Sequence, residues 1–294
     1  MTRTRGFLIV FYTRRPFPPG QPREQWAQML LLSCLSFRAH NPTADLLVLD
    51  IDAALTVAEL VTIRRFARVH TGPSSPLTGE PVVWTHSNLD KTLALAHSPF
   101  DETCQIDLDL LWTGPASDVW DTGRAELTLC HYDLYHATWT NVSAGVVVSR
   151  DRAAMARVWN HRSRLEPFRG WAAQADEVLV REAWYMGTVT VDLMPGELWE
   201  MDWQAWFPGQ TQARVRWPQA WPPTKPPSGH AYGGALCSWS APLAEDWGEA
   251  TPIDRVFHCG DLYPRSFHFC GNKARILACP RADRYRQKLI RAMR

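Results

Sequence analysis

Residues 104–112 read Cys104-Gln105-Ile106-Asp107-Leu108-Asp109-Leu110-Leu111-Trp112, an apolar run broken by two acids two positions apart. Side chains alternate faces along a β-strand. A strand from Cys104 to Leu111 therefore places Asp107 and Asp109 on one face, about 7 Å apart, with Leu108 opposite. Two such carboxylates repel one another unless a cation joins them, directly or through water. Hard oxygen ligands of this kind suit Mg2+ or Mn2+, whose remaining positions can be filled by phosphate oxygens. In an open α/β sheet, the C-terminal ends of strands are also where ligands bind. Two acids at a strand end that simply face solvent have the same local sequence, so the surrounding chain decides between the readings.

Upstream, Gly6 to Thr13 reads as a buried strand. Arg23 to Phe37 carries Trp26, Met29, Leu30, Leu32 and Leu35 at helical spacing and ends at His40, Asn41 and Pro42. Leu46 to Leu49 is a short β run, Thr56 to Phe66 a helix, Val69 the start of a strand, and Leu89 to Ala96 a helix. This β-α alternation predicts an α/β fold with a mostly parallel central sheet flanked by helices. Downstream, Val142 to Ser149 is an apolar strand. Asp151 caps a helix running to about Leu165, and Gln174 to Tyr185 forms another. Between Met194 and Trp239 lie six of the fifteen tryptophans and the run Pro222-Pro223-Thr224-Lys225-Pro226-Pro227, which read as loop with polyproline character. The chain is expected to form a single domain, residues 1–294, whose two halves, 1–140 and 141–294, divide near residue 140, with the texture changing at Met194 within a Trp/Pro-rich C-terminal half.

The 294 residues, 46% of them hydrophobic, suffice for a full core. A net charge of +1 excludes a polycation built throughout for nucleic acid. Between Lys273 and Arg294, however, eight basic residues face one acid, Asp283. No apolar run approaches the roughly 20 residues of a membrane helix. The run from Phe7 to Phe11 is too short for a signal segment. Seven cysteines without a C-x-x-C pair argue for a reducing compartment, so a cytoplasmic protein is expected.

In this context the sequence resembles the GT-A glycosyltransferases, most closely the retaining family of glycogenin and the galactinol synthases. The family has a lysine-bearing helix followed by a strand ending in two acids; here Lys91 stands sixteen residues before Asp107. The resemblance implies that Asp107 and Asp109 hold a Mn2+ or Mg2+ ion and the donor diphosphate, and that Lys91 reaches the diphosphate or sugar. Asn141-Val142-Ser143-Ala144-Gly145-Val146 is similar to the family's F-N-[SA]-G-V strand, with Ser143 on the asparagine position and Asn141 two residues earlier. This adds Ser143 and Gly145 to the donor site. Gln174-Ala175-Asp176-Glu177 resembles the family's D-Q helix start, with Glu177 in place of glutamine. Asp176 would then bond sugar hydroxyls near the reacting carbon. His268-Phe269-Cys270-Gly271-Asn272-Lys273 resembles the family's C-terminal H-x-x-G-x-x-K, one residue shorter and without the following Pro-Trp. It implies His268 as third metal ligand, Gly271 as a close backbone approach and Lys273 as a phosphate contact. His258, followed by Cys259 and Gly260, is the competing histidine. Tyr12 and Thr13 stand where GT-A enzymes hold the base.

The function expected from this resemblance is transfer of a hexose from a nucleotide diphosphate sugar, UDP-sugar first among them, to an acceptor hydroxyl. The acceptor stays open between a glycan, a protein, a small metabolite and a hydroxymethylated pyrimidine in DNA. The basic C-terminal stretch would follow a phosphate backbone in the last case. Trp199, Trp203, Trp206, Trp217 and Trp221 would offer stacking walls, although tryptophans in such number also fill cores. Two other classes compete: a metal-dependent phosphodiesterase or nuclease, which wants more carboxylates around paired metals, and a binding protein that retains a donor site without turnover. A zinc site from His258, Cys259, His268, Cys270 and Cys279 matches none of the common finger spacings.

Overall fold

The computed structural model describes residues 3–11, 22–72, 91–131, 142–161, 175–199, 201–202, 214–218, 234–238, 244–245, 257–258 and 265–268, with 277, 283–284, 286–287 and 291. In chain order the elements that build the body are β1 (Arg5–Phe11), α1 (Arg23–His40), β2 (Leu46–Ile51), α2 (Val57–Ile63) and β3 (Arg68–Gly72). They continue with α3 (helical over 91–96), β4 (Glu102–Ile106), β5 (Leu110–Trp112), β6 (Leu127–His131) and β7 (Val142–Ser149). Then come α4 (Arg152–Asn160), α5 (Ala175–Tyr185), β8 (Val191–Pro195), α6 (Gly196–Trp199) and β9 (Met201–Asp202). Two short antiparallel ribbons follow, β10 (Arg214–Pro218) with β11 (Gly234–Ser238) and β12 (Ala244–Glu245) with β13 (Phe257–His258), and finally β14 (Ser266–His268).

Seven strands form the central sheet in the order β3-β2-β1-β4-β7-β6-β8. All run parallel except β7, which is antiparallel to β4 and β6. Alternation along β1 supplies both faces. Phe7, Ile9 and Phe11 pack with Trp26, Met29, Leu30 and Phe37 of α1. Leu8 and Val10 point the other way, into a layer shared with Met155 and Val158 of α4 and Leu179 and Ala183 of α5. Each fully buried side chain of this size is worth about 1.5–3 kcal/mol, which explains why strands covered on both faces read as continuous apolar runs. Helix α2 starts at a capping box, with Thr56 and Glu59 each accepting from the other's backbone N–H.

One sequence expectation fails here. No strand runs from Cys104 to Leu111: β4 stops at Ile106, and Asp107-Leu108-Asp109 forms a turn closed by Leu110 N–H donating to Asp107 C=O at 3.3 Å. The physical reason lies in the partners. β4 pairs with β7 as far as Ile106 opposite Val146, whereas β5 leaves the central sheet to pair with β14. The order β5-β14-β9 makes a second, three-stranded sheet, so residues 107–109 are the corner between two sheets.

Candidate metal and donor-sugar site

Four segments meet at that corner. The turn after β4 presents Asp107 and Asp109, α3 brings Lys91, the first turn of α5 brings Asp176, and β14 brings His268. Asp107 divides its oxygens among three neighbours. Its Oδ1 accepts from Lys91 Nζ at 2.7 Å and from Gln105 Nε2 at 3.3 Å. Its Oδ2 lies 3.6 Å from His268 Nε2, which is also 3.4 Å from Asp109 Oδ1. Lys91 Nζ reaches on to Asp176 Oδ2 at 3.0 Å, so one ammonium links the two acids. The groups are shielded from water: side-chain exposure is 12% at Lys91, 16% at Asp107 and 7% at Asp176.

Burial pushes the Asp107 carboxyl above the ordinary carboxylate value. The ammonium of Lys91 pulls it back, Asp109 pushes it up again, and His268 and Asp176 act more weakly in opposite senses. A site that holds acids against this penalty favours an additional cation. The donor set and spacing fit one. Asp107, Asp109 and His268 each offer a ligand atom, all within 4.8 Å of one another. Adjacent ligands around an octahedral ion with bonds near 2.1 Å lie about 3 Å apart, close to the 3.4 and 3.6 Å observed.

The backbone behind the acids is irregular. β6 matches Leu129 with Val147 but its next residue, Cys130, with Ser143, so Ala144, Gly145 and Val146 bulge from β7. Asp107 N–H donates to the Gly145 carbonyl at 2.8 Å, and Gln105 Nε2 donates to the Ala144 carbonyl at 3.4 Å. Ala144 N–H is received by Glu177 Oε1 at 3.4 Å. A bulge beside a site re-aims the chain, and here it fastens Asp107 from behind.

Of the residues singled out in the sequence, Lys91, Asp107, Asp109, Asp176 and His268 converge. Gly145 lies in the adjoining bulge and Ser143 at its edge, with the Ser143 hydroxyl accepting from Gly145 N–H at 3.2 Å. Tyr12, Thr13, Asn141, Gly271 and Lys273 lie outside the described residues, as do Cys259, Cys270 and Cys279. His258 sits on β13, opposite Ala244 of β12, rather than on the strand that pairs with β5. Trp199 is 1% exposed and belongs to the core, which removes it from the stacking walls. Its main chain also serves the fold, because the Ser266 hydroxyl donates to its carbonyl.

Sequence reasoning missed Gln105, the bulge and the contact of Glu177 with it. The small residues Ser143, Ala144 and Gly145 inside an apolar strand were the available signal for the bulge. Among the described residues, no helix is long and apolar enough to cross a membrane.

No protein-family model matches the sequence, and no curated protein is similar to it. Solved structures are similar in fold. A crystal structure of an active-site glutamine-to-glutamate mutant of LgtC aligns with a TM-score of 0.53 at 13% identity, over 98% of this chain and 95% of that one. Galactosyltransferase LgtC in complex with donor and acceptor sugar analogues aligns at 0.46 and 14% identity, over 66% and 75% of the two chains. The apo form of glycosyltransferase GlyE from Streptococcus pneumoniae TIGR4 aligns at 0.47 and 10% identity; this chain covers 47% of it, about half its length, with 69% of its own residues. The alignment over nearly the whole of both chains carries the assignment: this chain has a GT-A glycosyltransferase fold.

Proposed function

We propose that the protein is a metal-dependent glycosyltransferase that moves a hexose from a nucleotide diphosphate sugar, a UDP-sugar first among the candidates, to an acceptor hydroxyl. The observation that carries this reading is the meeting of Asp107, Asp109 and His268 with the Lys91–Asp176 pair at the ligand-binding edge of a GT-A fold. Two carboxylates with one imidazole suit Mn2+ or Mg2+, the imidazole favouring Mn2+. Bound there, the ion would neutralise the departing diphosphate. Lys91 holds Asp107 and Asp176 at fixed separation and supplies positive charge beside the phosphates. Asp176 receives sugar hydroxyls near the anomeric carbon. In the reaction the bond from the anomeric carbon to the diphosphate oxygen breaks, a bond to the acceptor oxygen forms, and the acceptor proton is released. The transition state is oxocarbenium-like. Retention of configuration, and the closer kinship with glycogenin and the galactinol synthases, follow the motif resemblance.

Donor contacts from Tyr12, Thr13, Ser143, Gly145, Gly271 and Lys273 belong to the same proposal. So does the division into a nucleotide-sugar half before about residue 140 and an acceptor half after it. The acceptor is to be sought among glycans, proteins, small metabolites and DNA carrying hydroxymethylated pyrimidines. The test incubates the protein with a panel of UDP-sugars, with Mn2+ or EDTA, and with each acceptor class, followed by mass analysis of the products. Metal-dependent UDP release with a glycosylated product, lost in Asp109→Asn, is the expected result. UDP-sugars left intact under every condition would refute the transferase reading. Phosphodiester cleavage in its place would favour the nuclease.

A further inference from the structure

His268 reaches the two aspartates on a strand of only three residues, so its placement depends on what fixes the register of β14. A slip of one residue would turn the imidazole to the opposite face. The residue before β14, Arg265, is tied down at four points. Its carbonyl accepts from Thr113 N–H at 2.9 Å and from Gly114 N–H at 3.2 Å, and its own N–H donates to the Leu198 carbonyl at 2.6 Å. Its guanidinium Nη2 meets Asp118 Oδ2 at 2.6 Å. Asp118 belongs to the 3-10 turn Ser117–Asp121 that follows β5, so the ion pair fastens β14 to the same segment that carries Asp107 and Asp109. Gly114 makes room for this crossing: a Cβ there would lie 3.3 Å from Arg265 Cδ.

We infer that Arg265 is a positioning residue for the metal ligand His268, with the Arg265–Asp118 pair setting the register in which the imidazole completes the site. The inference rests on the proposed metal role of Asp107, Asp109 and His268. By linkage, metal binding and the seating of β14 stabilise one another by equal amounts. The pair is half in water, with side chains 24% and 45% exposed, so its own contribution is modest and a charge reversal is needed to expose it.

The experiment measures Mn2+ affinity by electron paramagnetic resonance in the full chain. The proteins compared are the wild type, Asp118→Arg, Arg265→Asp and the double variant that swaps the charges. His268→Ala serves as control, and amide exchange at Phe267 and His268 is followed with and without metal. Each single reversal is expected to weaken Mn2+ binding roughly five- to tenfold and to speed exchange at β14. The swap should recover affinity to within about twofold, a rescue that a general loss of stability would not give. Arg265→Lys, which keeps the charge, should fall between wild type and Arg265→Asp. Single variants that bind Mn2+ like the wild type, or a swap that recovers nothing, would overturn the inference while leaving the metal site intact. A wild type that binds no Mn2+, or binds it no better than His268→Ala, would instead remove the site and the inference with it.

Discussion

Lys91 lies between two acids and is their shared counterion. Replacing it with methionine keeps most of the length of the side chain and removes the ammonium that Asp107 and Asp176, both shielded from water, share. Breaking a buried pair by removing one partner costs about 3 kcal/mol or more. Lys91→Met is therefore expected to melt well below the wild type in EDTA and to regain part of the difference in Mn2+, since the ion still neutralises Asp107. Chemical denaturation with and without Mn2+ measures this; a variant as stable as the wild type in EDTA would show that the pair holds nothing. A second single-residue effect belongs to His131, buried at the end of β6, where burial lowers its pKa to about 4. Its pKa is depressed relative to the unfolded chain, so the stability it permits is complete above about pH 6.5 and drains away as pH falls towards 4. The span corresponds to about 3 kcal/mol. His131→Gln should flatten the acid limb of the stability profile between those pH values, as followed by urea unfolding.

Elements with several turns or both faces buried were legible in the sequence, and the corner that matters most was not. Helix α1 announced itself through Trp26, Met29, Leu30, Leu32 and Leu35, and β1 through an unbroken apolar run, because packing against two layers imposes those patterns. The aspartates were also found, although by the wrong geometry. They converge because a turn follows β4, and that turn exists because β5 pairs with β14, about 155 residues further along the chain. Periodicity cannot announce such a partner, and a strand as short as Ser266–His268 has too few residues to show a period. His268 was legible only from its resemblance to a family motif. The support behind the corner can be probed at Gly6 of β1, where an added Cβ would stand 2.3 Å from Phe100 Cζ. Phe100 lies between α3 and β4, the elements that carry Lys91 and lead to Asp107. Gly6→Ala should destabilise the protein by about 1–3 kcal/mol, and Phe100→Leu in the same chain should recover part of that loss. Equal melting of Gly6→Ala and wild type would show that the ring moves freely.

At the scale of the whole molecule, one sheet passes through both sides of residue 140: β6 precedes it, while β7 and β8 follow it. The nucleotide-sugar and acceptor halves of the proposed function therefore share a central sheet, and the site lies where the turn after β4, α3, α5 and β14 meet against the bulge of β7. The fold was legible as an α/β alternation; the antiparallel β7 was not, because its residues are buried on both faces whichever way it runs. Net charge says little about the acceptor. In the basic C-terminal stretch Arg286 is paired with Asp283, so part of that charge is compensated locally. The proposed function hangs on one cation that Asp107, Asp109 and His268 would hold. The most direct measurement is an anomalous difference map, recorded near the manganese edge, from crystals soaked in Mn2+ and UDP. A single strong peak coordinated by Asp107, Asp109 and His268 and touching the diphosphate is the predicted result. Diphosphate bound with no manganese between those three side chains, or manganese ordered elsewhere while Asp107 keeps its contacts with Lys91 and His268, would contradict it.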